Sequence, residues 1–421
     1  MEQAHREEDV VVVEDSPCPS TCGTSLTLAS KRAGVCGFGR LLLAGCLGLM
    51  VSASALAQDL PPDEVQVNLN GYFDNFRVNI VYPSISMTGA ISPTTSLTGR
   101  YLVDVISAAS MKSQFQVDGV TSASGRGHGG EVEGPDEVRN EFNVGISQLV
   151  AGATLSANGI YSTENDYKSR TIAGSLSLPF AKKNTIFSLG ATQSWDIVAP
   201  RNQTWTADKN VLSLNAGLTQ VLGRRTVLQL DGSWSDNRGY LNDPYQVVSI
   251  IGDGEIQTFE ARHPDQRTRR AVGVRLNQSL GRKTALNLGY RYYWDNWDIK
   301  SNTANIMLQR RVAEDVVLKA GFRGYKQSKA YFFEPTYAAP MTFMSVDSKL
   351  SRGYSGEIQL GTTITGNAKS RYPFIAMLAS EKVDLNFDLN LYMRHTDAPD
   401  WHSRLKDLFA YMFSVGYRYR F

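Results

Sequence analysis

The side chains best suited to chemistry are two histidines that flank one polar segment near the end of the chain. His395 and His402 enclose a stretch that also contains Asp397 and Asp400. Imidazole and carboxylate groups together could bind zinc or form an acid–base pair. Their spacing matches no metal or protease motif, and loops collect polar residues in any case. A metal site at His395 and His402 is therefore one hypothesis, and an ordinary solvated loop is the other.

The cysteines offer no chemistry to the body of the chain. All four, Cys18, Cys22, Cys36 and Cys46, lie near the N-terminus. The remaining sequence therefore has no disulfide framework, no thiolate nucleophile and no covalent haem attachment. It also lacks a serine nucleophile elbow, so we expect neither an enzyme nor a resident cofactor.

The charges are balanced and scattered. Lys and Arg number 43 against 41 Asp and Glu, a formal net charge of +2. Basic residues form no run of five or six, which argues against a nucleic-acid partner.

Strands are the elements that would position the polar side chains. From Val383 to Leu391 every odd residue is apolar and every even residue is polar, the pattern of a strand with two different faces. The pattern recurs, and we predict sixteen strands. They lie near 65–76, 78–88, 95–106, 138–149, 153–164, 168–179, 185–196, 210–221, 226–237, 266–280, 284–296, 302–311, 316–328, 346–363, 382–395 and 408–421.

The links between these segments fall into two classes. Short links occur near 150–152, 181–184, 222–225, 281–283 and 313–315. They alternate with mostly longer ones near 107–137, 197–209, 238–265, 329–345 and 396–407. This alternation is typical of an outer-membrane β-barrel with short periplasmic turns and longer extracellular loops. We therefore predict an all-β, antiparallel transmembrane barrel of about sixteen strands.

Two links fit this scheme poorly. The stretch 364–381 is long, although it is predicted on the short-turn side. The first hairpin would turn near Phe76-Arg77, where no turn-forming residue occurs. A barrel of fourteen strands is the alternative.

The last strand carries a specific signal. One of its faces is aromatic and apolar, and the chain ends on that face with Tyr417, Tyr419 and Phe421. Such an ending is typical of barrels that are inserted by the barrel-assembly machinery, and these rings suit the membrane interface. The alternative, an edge strand of a soluble sandwich, would expose the whole face to water.

The N-terminal region has the pattern of a cleavable signal peptide. Basic residues precede an apolar stretch at 41–49, and small residues follow, ending in Ala55-Leu56-Ala57. This order predicts cleavage after Ala57, with residues 1–57 as extension and signal peptide and 58–421 as the barrel. Leu43-Ala44-Gly45-Cys46 has the form of a lipoprotein box, but apolar residues continue after it.

Four motifs, in order along the chain, resemble those of one protein family. They are YLVDVISAAS at 101–110, STENDY at 162–167, RHPDQRTR at 262–269 and YRYYWDNW at 290–297. The resemblance is to the family termed domain of unknown function 3570, and it extends from about Val65 to Phe421. It implies an outer-membrane barrel whose biochemical role is not established.

The alternation also predicts which charged residues face the lumen. The set comprises Arg100, Asp104, Arg275, Arg291, Lys319, Arg323, Glu357, Asp384, Asp388, Arg418 and Arg420. Cations on the tenth, eleventh and thirteenth strands would face Asp384 and Asp388 on the fifteenth, giving a transverse field and weak ion selectivity. The alternative is that these charges pair with neighbours or with an inserted loop.

Two functions suit such a lumen. The first is a channel for small solutes across the outer membrane, since sixteen strands commonly enclose an aqueous pore. The second is a scaffold that encloses or anchors a periplasmic or lipoprotein partner, such as an electron carrier. A redox centre would then arrive on the partner, because residues 58–421 contain no cysteine to hold one.

Overall fold

The computed structural model describes residues 60–75, 78–108, 137–200, 203–244, 246–252, 255–370, 372–378, 380–398 and 406–421. The predicted signal peptide with Ala55 and Ala57 lies outside these ranges, as does His402.

The alternating segments form strands throughout the described residues. The strands are β1 (Glu64–Asp74), β2 (Val78–Ser92), β3 (Thr95–Ala108), β4 (Glu137–Val150), β5 (Ala153–Thr163), β6 (Tyr167–Phe180), β7 (Thr185–Val198), β8 (Ala207–Gly223), β9 (Thr226–Gly239), β10 (Val247–Gly252), β11 (Glu255–Glu260), β12 (Gln266–Ser279), β13 (Thr284–Asp295), β14 (Lys300–Arg311), β15 (Val316–Gln327), β16 (Gly353–Thr365), β17 (Val383–Thr396) and β18 (Asp407–Arg420).

Sixteen of these strands close into one antiparallel barrel. Each barrel strand pairs with its neighbours in sequence, except that β9 pairs directly with β12 and the hairpin β10–β11 stands apart. The barrel closes where β1 pairs with β18, from Glu64 opposite Arg420 to Asp74 opposite Ala410. The prediction of sixteen strands is confirmed, and the first hairpin, β1–β2, is part of the wall.

The two ends of the barrel differ in their links. One end, the short-turn end, carries the links 93–94, 151–152, 181–184, 224–225, 280–283, 312–315 and 366–382. The opposite, long-loop end carries the links 75–77, 109–136, 164–166, 199–206, 240–265, 296–299, 328–352 and 397–406. The long link 366–382 contains α1 (Pro373–Met377), a single short helix. Among the described residues, no helix has the length and apolar character needed to cross a membrane.

The structure differs from the predicted segments in two places. β16 begins at Gly353 instead of residue 346, because Asp347 accepts a hydrogen bond from Lys349 N and caps a 3-10 helix at Ser348–Leu350. The hairpin β10–β11 was predicted as loop, although Asp253-Gly254 between its strands is a strong hairpin signal.

The outer surface of the wall is apolar. Val144, Ile172 and Met393 expose 67%, 57% and 63% of their surface, and many other large apolar residues on the strands are similarly exposed. A continuous apolar band is unstable in water but stable against lipid, so the fold is that of an outer-membrane barrel.

Candidate functional site in the barrel lumen

Polar side chains occupy the inner side of the wall. On β17, for example, Asp388 lies between Phe387 and Leu389, whose exposed rings and methyl groups face outward. The lumen is therefore the surface where this protein concentrates its polar chemistry, and the predicted lining residues are considered by position.

At the short-turn end, charged residues from adjacent strands meet around Asp384, which is 2% exposed. Arg418 donates to Asp384 Oδ2 from Nε at 3.1 Å and from Nη2 at 2.8 Å, and Arg420 binds the same oxygen. Thr365 Oγ1 donates to Asp384 Oδ1 at 2.8 Å. Arg418 Nη1 also lies 3.9 Å from Glu64 Oε2. This cluster joins β16, β17, β18 and β1, the strands on both sides of the barrel closure.

Nearer the middle of the wall, β15 forms two further ion pairs, one with β17 and one with β16. Lys319 Nζ lies 3.6 Å from Asp388 Oδ1, and Arg323 Nη1 lies 3.9 Å from Glu357 Oε2. Lys319 reaches Asp388 across Gly361 of the intervening strand, which has no side chain to separate them. The predicted separation of cations from anions around the lumen therefore does not hold for Lys319 and Asp388.

A third cluster lies toward the long-loop end of β3 to β5. Arg139 Nη2 lies 3.1 Å from Glu141 Oε2, and Arg100 Nη1 lies 3.9 Å from Glu141 Oε1. Arg139 Nε is also 3.7 Å from Glu164. Asp104 pairs through its backbone with Arg139 on β4, and its side chain is outside the described part of the structure.

The remaining two predicted residues, Arg275 and Arg291, occupy partly buried positions on β12 and β13. Both interact with other groups. The other predicted lining residues whose side chains the structure describes form ion pairs with nearby side chains.

A repeated arrangement of polar residues and glycines encircles the lumen. On six strand pairs an Asn or Asp lies directly opposite a glycine of the adjacent strand, at similar distances from the short-turn end. We term these residues the amide belt. It comprises Asn68, Asn158, Asn215, Asp231, Asn305 and Asp388, opposite Gly416, Gly145, Gly190, Gly273, Gly289 and Gly361 respectively.

The glycines of the amide belt let the polar side chains lie against the wall. A methyl group at Gly145, Gly289 or Gly361 would overlap the side-chain oxygen of the facing residue. The Asn and Asp groups therefore extend across the neighbouring strand, which leaves more of the lumen cross-section free. Of these residues only Asp388 was predicted as lumen-lining. The glycine that lies opposite each residue depends on strand register, which alternation alone does not fix.

At the long-loop end, three links fold together into what we term the loop cap, the described residues of 240–265, 296–299 and 328–352. It has two apolar cores. One contains Val248, Ile250, Ala261, Tyr337, Met344 and Val346, and the other contains Trp297, Ile299, Ala330, Phe332, Phe333 and Leu350. Buried apolar clusters of this size make the cap a folded unit, unlike a set of independent loops.

The cap rests on a buried ion pair between two strands of the wall, β12 and β13. Arg267 at the start of β12 binds Asp295 Oδ2 from Nη2 at 2.7 Å and from Nε at 2.8 Å. The Arg267 guanidinium stacks on Trp297, 4.4 Å from the ring centroid. Asp295 Oδ1 accepts hydrogen bonds from Trp297 N at 3.0 Å and Ile299 N at 2.9 Å. Arg267 of the motif at 262–269 thus contacts Asp295 and Trp297 of the motif at 290–297. These residues were not identified as a site from the sequence.

Part of the cap lies on the inner side of the wall. Gln327, at the end of β15, donates to Lys349 O at 2.7 Å and to Ser351 O at 2.6 Å. Arg394 of β17 donates to Ser348 Oγ at 3.3 Å. Gln327 and Arg394 face the lumen, because the residues next to them along each strand face outward. The turn at 348–351, which they bind, therefore lies on the lumen side of β15 to β17.

The predicted histidine pair is only half described. His395 Nδ1 lies 2.6 Å from Asp407 Oδ1 at the start of β18, and both side chains are accessible to solvent. Among the residues that the structure describes, no group of three or more His, Cys, Asp or Glu could hold a metal ion. His402 is outside the described ranges, so a metal site at this loop stays a prediction.

The aromatic C-terminal strand lies in the wall as predicted. Tyr417 and Phe421 are exposed on the outer surface, and the Tyr419 ring stacks on Phe421 at 6.4 Å. Phe73 of β1 stacks on Tyr411 at 5.1 Å, across the barrel closure. The role of Tyr417, Tyr419 and Phe421 as an assembly signal remains a prediction.

The family follows from comparison with sequence models. Residues 40–405 match the model described as protein of unknown function (DUF3570). The chain belongs to this family. The match includes all four motifs and most of the DUF3570 barrel described above, and no curated protein matches the chain.

Solved structures with a similar fold are distant from this DUF3570 barrel. A bacterial polysaccharide outer membrane secretin is 8% identical with a TM-score of 0.48, and the match covers 86% of this chain and 100% of the secretin. The siderophore receptor PirA from Pseudomonas aeruginosa is 11% identical, with a TM-score of 0.41 and coverages of 80% and 57%. A loop-deletion mutant of OmpT from Vibrio cholerae is 10% identical, with a TM-score of 0.36 and coverages of 86% and 99%. Likeness of this degree carries no argument about function.

In the DUF3570 barrel, His263 is buried within the loop cap. Its ring packs against Trp297 and Phe332, and Nδ1 lies 2.9 Å from the carbonyl of Leu241. Burial lowers the pKa of His263 below the usual 6.5, and Arg267 lowers it further. The Leu241 carbonyl, Asp347 and Asp243 oppose this shift without cancelling it.

We expect acid to loosen the cap. Because the folded-state pKa is below the unfolded-state value, the stability that neutral His263 provides is complete above the unfolded pKa and is lost as pH falls below it. Limited proteolysis of the cap should therefore be faster at about pH 5.5 than at about pH 7.5, a range that brackets the ordinary histidine pKa.

The controls for this pH effect are two single variants. His263→Phe removes the titrating group and keeps an aromatic ring, so the pH difference in cleavage rate should disappear. His395→Asn, at an exposed histidine, should retain it. Equal pH dependence in both variants would exclude His263 as the cause.

Proposed function

We propose that this protein is a channel for small polar solutes across the outer membrane. The observation that carries the proposal is the amide belt, a ring of Asn and Asp side chains folded against facing glycines inside a closed sixteen-stranded wall. Barrels of this size commonly enclose an aqueous pore, and a polar inner wall provides hydrogen-bonding partners for a hydrated solute. The apolar outer surface supports a location in the outer membrane.

The amide belt makes a specific prediction for conductance. Gly145→Val, Gly289→Val and Gly361→Val, combined, should displace the facing side chains of Asn158, Asn305 and Asp388 into the lumen. We expect the refolded variant to conduct less per channel than wild type in a planar bilayer, with each single valine giving part of the loss. Reversal potentials in a salt gradient should show only weak ion preference, because the lumen charges are paired.

Matched controls come from glycines on the outer surface. Gly99→Val and Gly174→Val add the same side chain where nothing lies within 4 Å of the new methyl position, so their conductance should equal that of wild type. Heat-dependent migration on gels checks that each variant is folded. Folded wild-type barrels that never conduct would refute the channel, and belt variants that conduct normally would refute the role of the belt.

The loop cap favours a second candidate, a barrel that holds a partner or stays closed until the cap opens. The support is the turn at 348–351, held on the lumen side by Gln327 and Arg394. A wild-type barrel that is silent, but that conducts once the cap is released, would favour this function over a constitutively open channel.

A further inference from the structure

A groove of about 560 Å³ lies on the outer surface of the wall, across β14 to β17. Its apolar lining includes Leu308, Leu318, Leu360, Phe387 and Leu389, and the charged side chain of Arg310 lies at one end. The large apolar residues are exposed by 37% to 45%, as expected for side chains that face lipid. The lining also includes Lys319 and Asp388, which pair with each other at 3.6 Å. The groove is thus an apolar trough with Arg310 at its short-turn end.

The strand register explains why the groove exists. Ala320 lies between Leu308 on one neighbouring strand and Leu360 on the other, so a methyl group stands where the adjacent strands carry isobutyl groups. In the next row toward the short-turn end, Arg310 lies opposite Leu318. An alkyl chain lying beside Ala320 would therefore have the Arg310 guanidinium at its polar end.

Positive charge continues from Arg310 along the short-turn end. Three successive links and the end of β14 each carry two exposed basic residues, which we term the basic arc. It comprises Lys182, Lys183, Arg224, Arg225, Arg282, Lys283, Arg310 and Arg311. The strands concerned, β6 to β9 and β12 to β14, are adjacent in the wall, so the charges are contiguous.

No acidic side chain interrupts this arc. The links 181–184, 224–225 and 280–283 contain no Asp or Glu, and Glu314 is the first acidic residue beyond Arg311. The short turns on the other side of the barrel, 93–94 and 151–152, carry no charge at all. The link 366–382 adds Lys369 and Lys382 but also Glu381, so the longest run of basic residues without an acidic one at this end is the basic arc. The arc lies where the apolar band ends, which is the depth of lipid headgroups.

We propose that this face binds an anionic glycerophospholipid of the leaflet that meets the short-turn end. One acyl chain lies in the groove beside Ala320, and the phosphate binds Arg310 at the end of the basic arc. Arg311 N donates to Lys283 O at 2.8 Å, which holds the turn 280–283 against the end of β14. The proposal concerns the outer surface and is independent of transport through the lumen.

Lipid binding to the purified, refolded protein tests this proposal. The protein is mixed with equal amounts of phosphatidylglycerol and phosphatidylcholine of the same chain length, and bound lipid per barrel is counted by native mass spectrometry. Wild type should retain phosphatidylglycerol in preference. In Arg310→Gln the ratio of bound phosphatidylglycerol to bound phosphatidylcholine should fall about fivefold, as expected for the loss of one cation at an anionic surface. Ala320→Phe should reduce binding of both lipids by filling the groove.

The matched control is Arg170→Gln, an exposed arginine on the outer surface near the opposite end of β6. It should leave the lipid preference at the wild-type value. Equal retention of the two lipids by wild type, or the same result for Arg310→Gln and Arg170→Gln, overturns the proposal. A phosphatidylglycerol preference that survives Arg310→Gln, or total lipid binding that is unchanged in Ala320→Phe, also overturns it.

Discussion

Asp384→Ala is expected to lower the free energy of unfolding of the barrel by about 3 kcal/mol or more, the usual result of removing one partner of a buried ion pair. Asp384 is 2% exposed and binds both Arg418 and Arg420. Without it, Arg418 keeps only the more distant Glu64, at 3.9 Å, while remaining 8% exposed. An arginine that is desolvated without a close carboxylate is the main source of the expected loss.

The position of Asp384 increases this effect. Its partners lie on β16 and β18, and Arg418 extends the cluster to Glu64 of β1. The cluster therefore spans the β1–β18 pair that closes the barrel, where the two ends of the chain must meet. Closure of the wall depends on the pairing of β1 with β18. We therefore expect the variant to fold with lower yield as well as to unfold more readily.

The measurement is urea unfolding of the protein in lipid vesicles, followed by tryptophan fluorescence, with heat-dependent gel migration as a second readout. Asp397→Ala is the matched control. Asp397 binds Arg352 at 2.7 Å, but these side chains are 44% and 69% exposed, so its loss should cost less than about 1 kcal/mol. Equal unfolding midpoints for the two variants would contradict a role for the Asp384 cluster in closure.

The strands of the wall were predictable from the sequence because one face of each strand contacts lipid and the other contacts the polar lumen. Lipid outside and polar contents inside impose strict alternation, as on β17, so strand positions and inward residues such as Asp388 could be read directly. Pairing between strands could not be read in this way. For example, Lys319 reaches Asp388 across Gly361 only because of the register of three strands. A single sequence does not specify that register.

The loop cap was not predicted, for a different reason. Arg267 and Asp295 belong to separate motifs, and only folding places them 2.7 Å apart. Loops lack the periodic burial that identifies strands, so the apolar residues around Phe333 and Met344 gave no regular signal. The dipeptide Asp253-Gly254 was a usable clue to β10–β11 that the polar character of the loop obscured.

Asp295→Ala is expected to open the loop cap while the wall stays folded. The substitution leaves Arg267 buried without its carboxylate and removes the acceptor of Trp297 N and Ile299 N. Breaking a buried pair in this way costs about 3 to 5 kcal/mol. We expect the cap to open first, because Trp297 and Ile299 lose the carboxylate that accepts their backbone hydrogen bonds while the wall keeps its strand pairing. Proteolysis within 240–265 and 328–352, mapped by mass spectrometry, should accelerate strongly.

Two further variants separate this explanation from general destabilisation. Glu334→Ala breaks an exposed pair with Lys329 in the same cap, at 2.6 Å and 46% exposure of Glu334, and should change cleavage little. Arg267→Met combined with Asp295→Leu removes both charges and leaves no buried ion, so it should restore much of the protection that Asp295→Ala loses. If the double variant does not restore protection, the loss in Asp295→Ala comes mainly from the hydrogen bonds that the Asp295 carboxylate accepts from Trp297 N and Ile299 N.

The same variant connects the cap to the lumen. If the turn at 348–351 restricts passage, single-channel conductance should rise in Asp295→Ala and return toward the wild-type value in the double variant. The belt variants should still lower conductance when combined with Asp295→Ala, since the amide belt lies nearer the short-turn end than the cap does. Conductance that is identical in wild type and in a protease-sensitive Asp295→Ala would exclude the cap as a barrier and leave the belt as the narrow part of the lumen.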